Sequence, residues 1–188
     1  MKRLLVPVVV VLVTLCADQS SKAWARSALP DNRPVAVIDG FWDWELSYNP
    51  GAAFSVLGDG GARWALAAIA FGASLAIGWM LWRAPRERRA LRIGLALVLG
   101  GAVGNLIDRV GAGVVTDFVR WRWHEHRWPI FNVADAALVI GAALLIFDSI
   151  ASRGKVGHDD RTADPRGDRR RSGGPTGSAR LLRVRQQQ

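Results

Sequence analysis

The sequence predicts an all-α polytopic membrane protein, four transmembrane helices with a small extracytoplasmic β-sheet between the first and second. Three observations carry that prediction. Half of the 188 residues are hydrophobic, and they gather in four blocks. Each block comes close to the roughly 20 residues needed to cross about 30 Å of hydrocarbon. The basic residues lie between and beyond the blocks in an alternating pattern: residues 1–3 carry +2 from Lys2 and Arg3, residues 83–92 carry +4 from five Arg against Glu87, and residues 151–188 carry +6 from ten basic against four acidic residues. The whole chain carries +9, so the intervening segments are acidic. Basic alternate segments mark the cytoplasmic side of a membrane protein, and both termini are therefore expected in the cytoplasm. The same distribution argues against a nucleic-acid partner, which needs its basic residues clustered on one soluble face.

The first span, about 4–24, opens with LLVPVVVVLVTLCA, fourteen residues without a charge. A basic start followed by an apolar run is also how a signal peptide begins, and LVTLC invites cleavage before Cys16. Leu15 stands where a small residue would be needed, and the helix-compatible stretch runs on to Ala25, so the helix is expected to be retained. In the segment that follows, about 35–57, VAVIDGFWDWELSY reads as short strands of β-branched and aromatic residues, closed by the turn-like NPG. The second span, about 62–82, is the most evenly apolar, although Arg63 sits at its start. The third, about 91–109, contains Gly94, Gly100, Gly101 and Gly104, a pattern that lets helices approach closely. The fourth covers about 130–150. Trp42, Trp44, Trp121, Trp123 and Trp128 lie where an aromatic belt at the headgroups is expected. Residues 1–151 thus form a four-helix transmembrane domain. Residues 152–188, rich in Arg, Gly, Asp and Ser, form a disordered basic cytoplasmic tail able to lie against anionic lipid.

Several chemistries are excluded early. One cysteine cannot build a disulfide framework or a thiolate metal site, and three histidines, two of them His124 and His126, make a His-built site improbable. No phosphate-loop or dinucleotide fingerprint is present, and no serine occupies a nucleophile elbow. Neither a cofactor nor a metal is expected.

The informative residues are polar groups near the outer ends of the spans. Asp18 and Lys22 are four apart on one helical face and can pair. Asn105, Asp108 and Arg109 share a face of the third span, and Asn132 and Asp135 share a face at the start of the fourth. Charges there are costly, so they are expected to face the bundle interior and to mark function. Ion pairs account for Asp18 with Lys22 and for Asp108 with Arg109, while Asp148 lies near the inner end and can reach the headgroups. Asp117 and Asp135 have no basic neighbour three or four residues away on a common helix. The residues alone leave two readings open: a carboxylate pair that hydrolyses a bond, or a transport path lined by Asp18, Asp108, Asp117 and Asp135. The path is weak in depth, because all four acids cluster toward the outer surface and the inner half offers only Asp148.

Five blocks together resemble a known family. DQSSK at 18–22, YNPGAAFS at 48–55, GGAVGNLIDR at 100–109, GVVTDF at 113–118 and FNVAD at 131–135 are similar, in order and spacing, to the blocks of bacterial lipoprotein signal peptidase, also called signal peptidase II. The resemblance covers the chain from about Lys2 to Ile150. It implies an intramembrane aspartic endopeptidase of the bacterial inner (cytoplasmic) membrane. Such an enzyme removes the signal peptide from diacylglyceryl-modified prolipoproteins, cutting just before the lipidated cysteine, with its active site near the outer surface. By the same resemblance Asp117 and Asp135 are the catalytic pair, Asp18, Lys22, Asn49, Gly51, Asn105, Asp108, Arg109 and Asn132 are positioning or supporting residues, and globomycin is an expected inhibitor. The chain departs from the pattern at Thr116, where the family mostly carries an apolar residue, and in the tail after Ser152.

Overall fold

The structure, a computed structural model, describes residues 4–31, 33–51 and 59–159. Among them are four long helices, α1 (Leu5–Ala28), α2 (Asp59–Arg83), α3 (Arg89–Gly111) and α4 (Val133–Asp159), and four strands, β1 (Val35–Ile38), β2 (Trp42–Asn49), β3 (Val115–Trp123) and β4 (His126–Arg127). All four helices are long and apolar enough to cross a membrane. The chain divides into two units, Met1–Ala151 and Ser152–Gln188. The first holds the strands and the bundle. Of the second, residues 152–159 are helical, so the expected tail begins with about two turns of helix, and the remainder lies outside the described residues. Residues 52–57 of the expected outer β region also lie outside them.

Helix α3 packs against α1 and α2, and its glycines explain how closely the helices meet. A Cβ on Gly100 would stand 2.8 Å from Thr14 Cβ, and one on Gly104 would stand 2.5 Å from Asp18 Oδ2, so this pair faces α1. Gly94 and Gly101 face α4 instead, where a Cβ on Gly101 would stand 2.5 Å from the Ala134 carbonyl oxygen. Without a hydrophobic drive between helices in lipid, such backbone approach is what packing relies on. An apolar cluster of Leu81, Ala84, Leu95 and Ala96 fills the bundle at the end remote from the strands.

At the other end the strands form one sheet in the order β1-β2-β3-β4. The sequence reading placed the sheet between the first two helices; half of it comes from the connection between α3 and α4. Strand β3, VTDFVRWRW, alternates apolar and polar residues only over 119–123 and pairs antiparallel with β2, with Ser47 opposite Asp117 and Asn49 opposite Val115. The sheet rests on α1 through Ala25, Leu46 and Phe118, packed with Leu29, Trp44, Val119 and Val133. Two members of the expected aromatic belt are absorbed here: Trp44 stacks edge-on to Trp24 and Trp42, with ring centroids 5.2 and 4.8 Å away. Trp121, Trp123 and Trp128 stay exposed.

The fourth helix starts at Val133, not near residue 130, for a local reason. The backbone of Phe131 is held by β3, exchanging hydrogen bonds with Val119 at 2.9 and 3.0 Å. Asn132 then caps the helix: its Oδ1 accepts the Asp135 N–H at 2.9 Å while its own N–H donates to Asp135 Oδ2 at 3.3 Å. This is a reciprocal capping box.

Candidate active site

Five elements converge between the sheet and the bundle. Asp117 arrives on β3 and Asp135 in the first turn of α4. Both oxygens of Asp117 are held, Oδ1 by Asn132 Nδ2 at 2.6 Å and Oδ2 by Asn49 Nδ2 at 3.1 Å. Asp135 Oδ1 accepts from Asn105 Nδ2 at 2.8 Å, and its Oδ2 accepts the Asn132 backbone N–H. Asn132 thus reaches both carboxyl groups, one through its side chain and one through its backbone.

Asn49 depends on the turn that follows it. The Gly51 N–H donates to Asn49 Oδ1 at 2.9 Å, which turns the amide so that Nδ2 faces Asp117. Gly51 has φ +88°, a conformation favouring glycine, and a Cβ there would stand 2.6 Å from Leu66 Cδ1.

Behind the two aspartates lies a buried ionic core. Lys22, fully buried, sits 2.9 Å from Asp18 Oδ2 and 3.1 Å from Asp108 Oδ2, and donates to Asn105 Oδ1 at 3.0 Å. Asn105 therefore links the core to Asp135, to which its Nδ2 donates, and its oxygen also accepts from Asn132 Nδ2 at 3.2 Å. Asp18 Oδ1 accepts the Ala134 N–H at 2.9 Å, satisfying a free donor in the first turn of α4. Asp108 Oδ2 accepts the Thr116 N–H at 3.0 Å and so fixes β3 one residue before Asp117.

The expected pairing of Asp108 with Arg109 does not occur. Neighbours in a helix point about 100° apart, and Asp108 turns inward to Lys22. Arg109 donates a long hydrogen bond of 3.4 Å to the Asn105 carbonyl on its own helix. None of its hydrogen bonds among the described residues reaches either carboxyl of the aspartate pair.

The other predicted residues converge, and three further ones join them. Arg26 donates to Thr116 Oγ1 at 2.9 Å, which gives the departure at Thr116 a local partner; its position eight residues after Asp18, on the face of Asp18 and Lys22, was the available signal. Arg63 donates to the carbonyls of Arg109 and Val110 at 3.0 and 2.6 Å, closing the end of α3. Gln19 bridges Asp18 and the Gly104 carbonyl. Asp148 lies apart at the remote end, paired with Arg88.

Burial pushes the Asp117 carboxyl up to about 6 from 3.8; the Asn49 hydrogen bond opposes this, the nearby Asp135 adds to it, and Asn132 and Lys22 oppose it. Between those values the folded protein holds a proton that the unfolded chain releases, so stability falls as pH rises through that window. In the substrate-free protein the Asp117 carboxyl carbon, followed by ¹³C NMR, is expected to titrate near pH 6. Asp135→Asn is expected to lower that midpoint by removing a neighbouring negative charge. An unchanged midpoint would show that the two groups are not coupled.

Among the described residues no cluster of three or more His, Cys, Asp or Glu is arranged to hold a metal. Two neighbouring carboxyls, Asp117 buried and Asp135 half-buried at the edge of a cleft, each held by two hydrogen bonds, suit hydrolysis by a shared proton. Beside them opens an apolar cleft of about 470 Å³ lined by Trp121, Trp128, Phe131, Asp135 and Val139, among others.

Comparison with known proteins agrees with this chemistry. A family model described as signal peptidase (SPase) II matches residues 10–151. The lipoprotein signal peptidase of Xanthomonas campestris pv. campestris (strain 8004) is 48% identical over 147 residues, covering 75% of this chain and 88% of its own. That of Xylella fastidiosa (strain 9a5c) is 44% identical over 144 residues, covering 73% and 86%. A solved structure described as a bacterial membrane enzyme, determined by the in meso method at 2.3 Å, superposes with a TM-score of 0.71 at 25% identity, covering 80% of this chain and 90% of the other.

Proposed function

Since the chain belongs to the signal peptidase II family and is an intramembrane aspartic peptidase acting as a lipoprotein signal peptidase, we propose that Asp117 and Asp135 are its catalytic pair. The substrates are prolipoproteins carrying diacylglycerol on the cysteine that follows the signal peptide, and the bond cut is the one before that cysteine. The single observation that carries the assignment is Asn132, whose amide and backbone N–H hold one carboxyl each.

The pair shares one proton, because two adjacent carboxylates, one of them buried, do not both ionise cheaply. Burial pushes the Asp117 carboxyl up, which favours a proton within the pair. The ionised carboxylate takes a proton from a water, and the protonated one donates a hydrogen bond to the scissile carbonyl. Attack gives a tetrahedral gem-diol, and a proton returned to the leaving amine completes the cut. Asn49, Asn105 and Asn132 hold the carboxyls in register, and Gly51 keeps Asn49 aimed. Lys22, Asp18 and Asp108 tie α1, α3 and the start of α4 together, and Asp108 also holds β3 at Thr116. Arg109, on α3 beside Asn105, is a candidate to position substrate.

The sheet end of the bundle faces the extracytoplasmic side and both termini face the cytoplasm; alternation of basic segments supports this. Residues 1–151 form the peptidase, and residues 152–188 form an accessory basic tail. Globomycin is expected to inhibit. The deciding experiment is incubation of the purified protein in detergent with a diacylglyceryl-modified prolipoprotein, with the products read by mass spectrometry. A new N-terminus at the lipidated cysteine supports the proposal; an intact substrate, under conditions where a relative cuts it, overturns it.

Asp148, paired with Arg88 far from this site, has no step to perform. Asp148→Asn is expected to leave turnover within about threefold of wild type in the same assay, as typical for a partly exposed ion pair; complete loss would place function at that end as well.

A further inference from the structure

A second recess adjoins the catalytic cleft, and its character is the opposite. It has a volume of about 490 Å³ and is lined by Asp31, Glu45, Ser47, Tyr48, Arg120 and Ile130, with Leu46 behind. Ile130 is shared with the apolar cleft that contains Asp135, so one side chain forms the ridge between the two. Ser47 stands directly across the sheet from Asp117. The recess therefore adjoins the cleft that holds Asp135 at Ile130, and reaches the strand position opposite Asp117 at Ser47.

A prolipoprotein is itself two-sided at the cut: an apolar signal segment precedes the bond, and a water-soluble polypeptide follows the cysteine. The cleft runs along α4 past Val139 and Ile140, both exposed on the surface a membrane would cover. The recess is walled by charges, with Arg120 Nη1 2.5 Å from Glu45 Oε2 in a largely buried pair. Resting on the function proposed above, we infer that the substrate lies across the Ile130 ridge with its mature portion in this recess, and that Glu45, Arg120 and Asp31 select the first residues after the cysteine. The charge balance sets the preference. Arg120 neutralises Glu45, leaving Asp31 in excess, so the recess repels an acidic side chain and accepts a basic one.

The test uses the full-length protein and three diacylglyceryl-modified substrates identical except for Ala, Lys or Asp immediately after the cysteine. Wild type is expected to favour Lys over Asp by about tenfold in kcat/KM, the scale of one unbalanced charge near a protein surface. Glu45→Gln, which brings the recess to neutrality, is expected to bring that ratio to within about twofold. Asp31→Asn, a change at an exposed residue, is expected to do the same. Ratios taken within one variant are independent of how much of it is folded. A Lys-to-Asp ratio near one in wild type, or one unchanged in both variants, overturns the selection. Failure of wild type to cut any of the three overturns the proposed function and this inference with it, whereas cutting without discrimination leaves the proposed function standing.

Discussion

Asp117→Asn and Asp135→Asn are each expected to lower cleavage of a diacylglyceryl-modified prolipoprotein by roughly three orders of magnitude or more, the upper range for losing a general acid or base. Either amide removes the proton the pair must share. The geometry also says what should survive. Asn at 117 keeps one acceptor oxygen for Asn49 or Asn132, and Asn at 135 keeps one for the capping box around Asn132, so each variant gives up a single hydrogen bond of the site. Thermal unfolding in detergent should therefore move little while turnover disappears. The double variant should be no worse than either single one, because the two carboxyls act as a unit. Turnover near wild type in either single variant would remove that residue from the reaction.

The largest stability effect is expected at Lys22. Its ammonium has no exposed surface and serves Asp18, Asp108 and Asn105 at once. Lys22→Met keeps the length of the side chain and deletes the charge, leaving two buried carboxylates facing each other. Breaking a buried ionic cluster from one side costs about 3–5 kcal/mol. Equilibrium unfolding in mixed micelles should show it, and adding Asp108→Asn to Lys22→Met should restore part of the loss. A cost below about 1 kcal/mol would mean that water or protonation relieves the carboxylates, contrary to their burial.

What could be read from the amino-acid sequence follows the range of the interactions. The helices are local: apolar blocks bounded by charge state them outright, and Asp18 with Lys22 is a one-turn relation visible in the spacing. Gly100 and Gly104 announced a close approach, although which helix each met depended on the bundle. Strand β3 was not visible as a strand, because its Arg and Asp residues read as a polar connection until β2 lies beside it. The partner of Asp108 was misjudged for the same reason, since Lys22 is 86 positions away and Arg109 is next to it. Asn105 was placed on the correct face, but its role as the link between Lys22 and Asp135 requires α1, α3 and α4 together.

Because β2 and β3 leave the bundle through different connections, the carboxyl pair is assembled only after most of the chain has been synthesised. Asp117 needs Asn49 from the first connection, and Asp135 is reached after the third helix has entered the bilayer. A nascent chain is thus a set of inserted helices with no hydrolytic centre until the α4 cap closes.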